Sequence, residues 1–255
     1  MLLKTREAQQ IINTFVFMNI TANSNIGQVV AESYHYANIF KEAGIDFCCN
    51  GNRSIREACD EINIDADTIV SRLNSTPEAD AETKGIDFKQ WPIDLLADYI
   101  EKTHHRYVRK KIDEIVPYLD KIIEVHSANH PELIKIGEHF TLSAEALTSH
   151  MQKEEMVLFP YIRGMVEARA DNKPLPESHF GSIENPIAMM REEHDIEGER
   201  FRQISALSNG YTPPADACNT YRITYSMLKE FEEDLHKHIH LENNILFPKA
   251  IRFAE

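Results

Sequence analysis

The chain has 255 residues, 42% of them apolar, with 41 Asp and Glu against 27 Lys and Arg and a formal net charge of −14. Nucleic-acid phosphates are bound by basic surface, so this charge excludes nucleic acid as a partner and fits a solvated acidic surface. No stretch approaches the ~20 apolar residues of a membrane span, so a membrane partner is not expected.

Gly is scarce, at 9 residues, and the periodicity of Glu, Lys, Leu and Ile is helical, so the fold class expected is all-α. Residues 1–20 read as an N-terminal extension, a tail or an extra amphipathic helix. Its apolar run Ile11 to Ile20 is broken by Asn13, Thr14 and Asn19, and no clear cleavage site follows. Residues 21–75 read as a small helical domain. Thr21 is expected to cap a helix through Phe40, and short helices are expected from Ser54 and Asp65. Between them lies the loop Gly44-Ile45-Asp46-Phe47-Cys48-Cys49-Asn50-Gly51. Residues 76–92 are polar and Pro-containing and read as a linker.

From 93 to 255 the pattern becomes four long helices, a four-helix bundle. The first is expected from Asp94 to Val125, with Pro117 as a kink or break. The second runs from Pro131 to Arg169 with a kink at Pro160. The third starts with Asn185 as N-cap and Pro186 at the first helical position, and stops at Asn209-Gly210. The fourth is expected from Thr212-Pro213-Pro214 to Phe247-Pro248, and the loop 169–184 is expected to be exposed.

On helix two the core seam reads Leu133, Ile136, Phe140, Ser143, Leu147, His150, Glu154, Val157 and Tyr161. On helix four it reads Tyr221, Thr224, Leu228, Phe231, Leu235, His238, Glu242 and Ile245. A His and a Glu therefore sit in each apolar seam. Four residues apart, they lie ~40° apart around the helix and ~6 Å along it, close enough to grip one site together. Burying ionised carboxylates requires compensating positive charge, and these seams carry no Lys or Arg. A metal supplies it. The motif His150-x3-Glu154-x3-Leu158-Phe159-Pro160 repeats as His238-x3-Glu242-x3-Leu246-Phe247-Pro248, offset by 88 residues throughout. Each copy has one histidine on the preceding helix, His105 and His194, although His104 competes with His105 for that role.

Four imidazoles and two carboxylates suit two metal ions, each with two His and both Glu bridging. This N/O set fits iron, or manganese as its imitator, in an oxo- or hydroxo-bridged pair with an open position. Structural zinc would take four ligands, usually with thiolate, and ferritin-type sites use Glu-x-x-His. His236 and His240 are expected to face away from His238.

The four cysteines, Cys48, Cys49, Cys59 and Cys218, form no disulfide framework and point to a reducing, cytoplasmic setting. Cys48 and Cys49, exposed in a Gly-flanked loop, could serve as a redox pair, metal carriers or links between subunits of a homodimer, or be small core residues. Cys59 and Cys218 carry no assigned role.

The region from 93 onward resembles the hemerythrin-like domain, and the loop Gly44 to Gly51 resembles the double-cysteine signature of the ScdA N-terminal domain. That order is similar to the YtfE/ScdA family of iron–sulfur cluster repair di-iron proteins. The resemblance implies ligands at His105, His150, Glu154, His194, His238 and Glu242, and His105-Arg106-Tyr107-Val108-Arg109 fits the first-ligand helix better than a start at His104. It also implies two iron ions, damaged iron–sulfur cluster proteins as partners, and chemistry with nitric oxide or oxygen. Implied roles are iron donation or nitric oxide reduction, set against an oxygen or nitric oxide carrier or sensor. Asn50 departs from the family, where Gly is common.

Overall fold

The computed structural model describes residues 20–76 and 86–255. The N-terminal extension therefore lies outside the described residues, apart from Ile20. Helices dominate, and among the described residues the only β pairing is a single bridge between Asn25 and Ser54.

The first unit contains α1 (Ile26–Glu32), a 3₁₀ turn (Tyr34–Tyr36), α2 (Ala37–Glu42), α3 (Ile55–Glu61) and α4 (Ala66–Ser75). The single helix expected from Thr21 to Phe40 is thus two. Asn25, not Thr21, caps α1 by accepting from Gln28 N, and extended Ser33 ends it. Ser54 and Glu57 close a reciprocal capping box on α3, and Asp65 caps α4 through Thr68 N.

Of the expected linker, 77–85 lies outside the described residues. From Phe88 the chain already packs on the bundle. Phe88 is buried, and Lys249 Nζ donates to the carbonyls of Lys89, at 2.8 Å, and Trp91.

The first bundle helix is α5 (Ile93–Tyr99), a π-helical turn (Ile100–His105) and α6 (Arg106–His126). Pro117 does not break α6. Its missing N–H frees the carbonyl of Asp113, and both residues are exposed, so water can satisfy that group. The second helix is α7 (Glu132–Lys153), a π turn (Glu154–Leu158) and α8 (Phe159–Ala170). The third is α9 (Glu184–Leu207). Ser182 Oγ accepts from Glu184 N, while Asn185, the expected cap, donates instead to the Phe180 carbonyl. Its end does fall at Asn209-Gly210, both at positive φ, with Gly210 N bonded back to Ser205 O.

The fourth helix is α10 (Asn219–Leu241), a π turn (Glu242–Leu246) and α11 (Phe247–Ala254). It starts later than Thr212 because each proline holds its predecessor out of the α region, and Cys218 Sγ takes the cap from Tyr221 N. It also runs past Pro248. Pro160 and Pro248 each follow a π turn that widens the helix just where the proline withholds a hydrogen bond.

Two apolar clusters form the core. One fills the first unit and the lower bundle, around Phe40, Phe140, Phe201 and Phe231. The other fills the far end, around Leu96, Leu158, Phe159, Met190, Leu246 and Phe247. Each such buried side chain contributes roughly 1.5–3 kcal/mol. The His and Glu residues of the seams lie between the two clusters, a polar layer walled on both sides.

Candidate metal centre

Local structure sets the polar layer. His150 and Glu154 close the last turn of α7, and His238 and Glu242 that of α10. Both carboxylates open a π turn, and His105 closes one. The widened turns re-phase the helix so that the carboxylate and the following Leu-Phe both face inward. All six side chains are buried, at 3% exposure or less.

Their tips converge. His105 Nε2 lies 3.3 Å from Glu154 Oε2, and His150 Nε2 3.4 Å from the same oxygen. His194 Nε2 is 3.1 Å from Glu242 Oε2, and His238 Nε2 3.0 Å from Glu242 Oε1. His150 Nε2 and His194 Nε2 stand 3.1 Å apart. The donors fall into two overlapping groups, His105-Glu154-His238-Glu242 and His150-His194-Glu242. Helices one and four thus serve one position and helices two and three the other, pairing each histidine across the two sequence repeats.

The donor set fits a metal pair. Both Glu154 oxygens, Glu242 Oε2 and His105 Nε2 are buried without a hydrogen-bond partner. Among the described residues no Lys or Arg pairs with either carboxylate. With protons as the only cations, burial and Glu242 would push Glu154 up, yet His150 and His105 hold it below the ordinary carboxylate range. Burial would likewise raise Glu242, but His238 and His194 hold it well below that range. Burial would lower His150, but Glu154 and Glu193 drive it up to about 10. Two ionised carboxylates facing four imidazole nitrogens, sealed from water, form a cation cage.

A second ring fixes the imidazoles. His105 Nδ1 donates to Glu155 at 2.7 Å, and Arg109 holds both oxygens of Glu155 at 2.8 Å. His150 Nδ1 donates to Glu193 at 2.8 Å, with Lys153 on its other oxygen. Together His150 and Lys153 lower Glu193 to about 2, despite its partial burial. His194 Nδ1 donates to Asn243 Oδ1 at 3.0 Å. Each bond commits Nδ1 as donor and leaves the Nε2 lone pair facing inward. His105 stacks on Phe159 with rings 16° apart, and His194 stacks on Phe247 at 4°. Sequence reasoning missed this ring, although its signal was present. Glu155 and Asn243 stand 88 residues apart, as do Phe159 and Phe247, and each repeat orients the upstream histidine of its own half.

His104 is buried too, but its Nδ1 meets Asp234 at 3.0 Å and its ring stacks on His238 at 13°. It is not in either donor group. Glu197, in line with His194, is a buried carboxylate held by Ser143 and Arg200, outside the convergence.

The double-cysteine loop is not exposed. Cys48 is buried and Cys49 half-buried, because the loop docks on the bundle beside His194. Asp46 bends it by accepting from the N–H groups of Cys48 and Cys49, both at 3.0 Å, and from Asn50 Nδ2 at 3.0 Å. That last bond gives Asn50 its local use. Asn243 Nδ2 donates to Cys48 O at 3.2 Å, and Asn244 Nδ2 to Phe47 O at 3.1 Å. Cys49 Sγ donates to the His194 carbonyl at 3.3 Å. Gly198 makes room for it, since a Cβ there would stand 3.1 Å from Cys49 Sγ. The Cys48 thiol is pushed well above its ordinary range, by its contact with Cys49 first and by burial next. His236 and His240 do face away from His238, and pack on Phe47 and, for His240, Tyr34.

Residues 96–250 match the model of the hemerythrin HHE cation-binding domain, and 22–76 match a domain of unknown function, DUF542, the ScdA N-terminal type. The iron–sulfur cluster repair protein ScdA of Staphylococcus haemolyticus is 31% identical over 230 residues, covering 90% of this chain and 99% of that one. The iron–sulfur cluster repair protein YtfE of Yersinia pseudotuberculosis is also 31% identical, over 90% of this chain and 97% of its own. This chain belongs to the ScdA/YtfE family. The polar layer described above falls within the cation-binding domain, so a hemerythrin-like domain that binds iron accounts for its donors. Among the described residues no helix is long and apolar enough to cross a membrane.

Proposed function

We propose that the bundle holds two iron ions, one on His105 and His238 and the other on His150 and His194, with Glu154 and Glu242 shared between them. From this store the chain supplies iron to iron–sulfur clusters damaged by nitrosative or oxidative stress in the cytoplasm. The observation that carries the reading is the convergence of four Nε2 atoms on two buried carboxylates whose oxygens lack other partners. The names of the relatives support the repair role.

In this reading residues 21–75 and 93–255 are two domains, and the second does the binding. Bound iron would supply a redox-active Lewis acid with open positions for small ligands such as nitric oxide or oxygen. His105, His150 and His194 are aimed inward through their Nδ1 bonds, and His238 by the stacked ring of His104. Glu154 and Glu242 offset two of the positive charges. Leu158, Phe159, Leu246 and Phe247 exclude bulk water on one side, and Leu147 and Leu235 on the other.

Six side-chain ligands for two ions form a sparse set, which suits iron that must leave again. The test is elemental analysis of the full chain and of Glu242→Leu, paired with repair of a nitric-oxide-damaged cluster enzyme. The parent should hold two irons and restore the enzyme with no other iron supplied. Glu242→Leu, close in size, should fold yet hold one iron or none and fail to repair. Two irons in Glu242→Leu would sink the shared-carboxylate assignment. A loaded parent that restores nothing would sink iron supply.

A further inference from the structure

The cysteine loop touches the metal layer directly. Cys49 Sγ donates to the carbonyl of His194, whose Nε2 lies 3.1 Å from Glu242 Oε2. Asn243 grips the His194 ring with its oxygen and the Cys48 carbonyl with its nitrogen. The two sulfurs stand 3.8 Å apart.

Asp46, Cys48 and Cys49 could also be read as a third metal site, since their donor atoms lie within 4.8 Å of one another. The hydrogen bonding argues against it. Asp46 Oδ1 already accepts two backbone N–H groups, and its Oδ2 accepts from Asn50 and Arg202. The carboxylate is spent on bending the chain. What it bends is a pair of neighbouring thiols, one sealed inside and one half-open to solvent.

We propose that Cys48 and Cys49 are an internal two-electron donor to the metal centre, closing to a disulfide as they reduce two ferric ions to ferrous. This rests on the di-iron reading above. In the step both S–H bonds break and one S–S bond forms. Two electrons pass to the iron pair, one to each ion, and two protons are released. The balance is two thiols plus two ferric ions giving one disulfide, two ferrous ions and two protons. The lower charge then weakens the Coulomb hold of Glu154 and Glu242, so reduction is coupled to release. A ring closed between neighbouring residues is strained, and strained disulfides are readily reduced. A small-molecule thiol attacks the half-exposed Cys49 sulfur and expels Cys48, and a second thiol then releases Cys49 from the mixed disulfide, so two small thiols leave as one disulfide and the dithiol is restored.

The test uses the full chain with its 4 cysteines reduced and reductant removed. It is loaded under anaerobic conditions with ferric citrate. Bound iron, ferrous iron trapped by a chelator and free thiols are counted on the same samples, and the oxidised residues are located by peptide mass. Two thiols should be lost, at Cys48 and Cys49, with two ferrous ions formed per chain. The Cys48→Ser, Cys49→Ser double variant should bind two irons that stay ferric. Glu242→Leu should keep its thiols over the same period. Two bound irons with all thiols intact in the parent would overturn the inference alone. Equal thiol loss in Glu242→Leu would overturn it as well, since the oxidation would then not pass through the centre. Fewer than two irons per chain bound before the chelator is added would overturn the metal reading on which it rests. The peptide map of the parent decides the matter even if the double variant fails to fold.

Discussion

Replacing Asn243 with Ala removes one side chain that serves two parts of the protein. Its amide nitrogen must face the Cys48 carbonyl, 3.2 Å away, so its oxygen faces His194 Nδ1 at 3.0 Å. Both bonds are buried, the residue being 9% exposed, so water cannot easily replace them. Two lost bonds at ~1 kcal/mol each give about 2 kcal/mol of stability. The His194 ring is also released to turn or change tautomer, and loss of such a supporting partner typically costs about 10–100-fold in metal affinity. Competition with an iron chelator measures the affinity, and thermal melting of the metal-free chain measures the stability. Asn243→Asp separates the two duties. It keeps the acceptor for His194 but cannot donate to Cys48 O. Iron affinity should stay near the parent while Cys48 reacts faster with a thiol reagent. If Asn243→Ala binds iron as tightly as the parent, the orienting role is wrong, and with it the equivalence of Asn243 and Glu155.

His105→Ala should strip iron from the centre, whereas His104→Ala should keep it and lose only the Asp234 bond and the stacking on His238. Iron content in the opposite order would move the ligand to His104. His240 gives a pH signature. Its Nδ1 accepts from Asn244 Nδ2 at 3.0 Å, and burial first, then Lys237, lowers it to about 3. An unfolded histidine takes a proton near pH ~6.5. Below that the unfolded chain binds the extra proton, so stability falls as the pH drops, by up to ~1.4 kcal/mol per pH unit from this group. His240→Gln keeps an acceptor without titrating, and the slope of unfolding free energy between about pH 5 and 6.5 should flatten. An unchanged slope would refute the assignment.

The donor set was readable in one dimension because helices are local. A residue and its neighbour four along share a face whatever the rest of the chain does, so His150-Glu154 and His238-Glu242 declared themselves by spacing and by their repeat. The stop at Asn209-Gly210 was legible for the same reason, being a backbone preference of those two residues. The start of α10 was misread, because the prolines at 213 and 214 look like a helix opening until the chain on either side is seen. The choice between His104 and His105 was also beyond spacing, since both are buried and only their partners, Asp234 and Glu155, tell them apart.

What the sequence determined by itself was the helical class, the two motif copies and the need for a cation between them. Only tertiary structure paired His105 with His238 and His150 with His194, brought Glu193 to His150, and laid the Cys48-Cys49 loop on α9. Those contacts join residues from 43 to 145 positions apart. No local preference specifies them, and they are decided by which apolar faces bury each other when the helices meet.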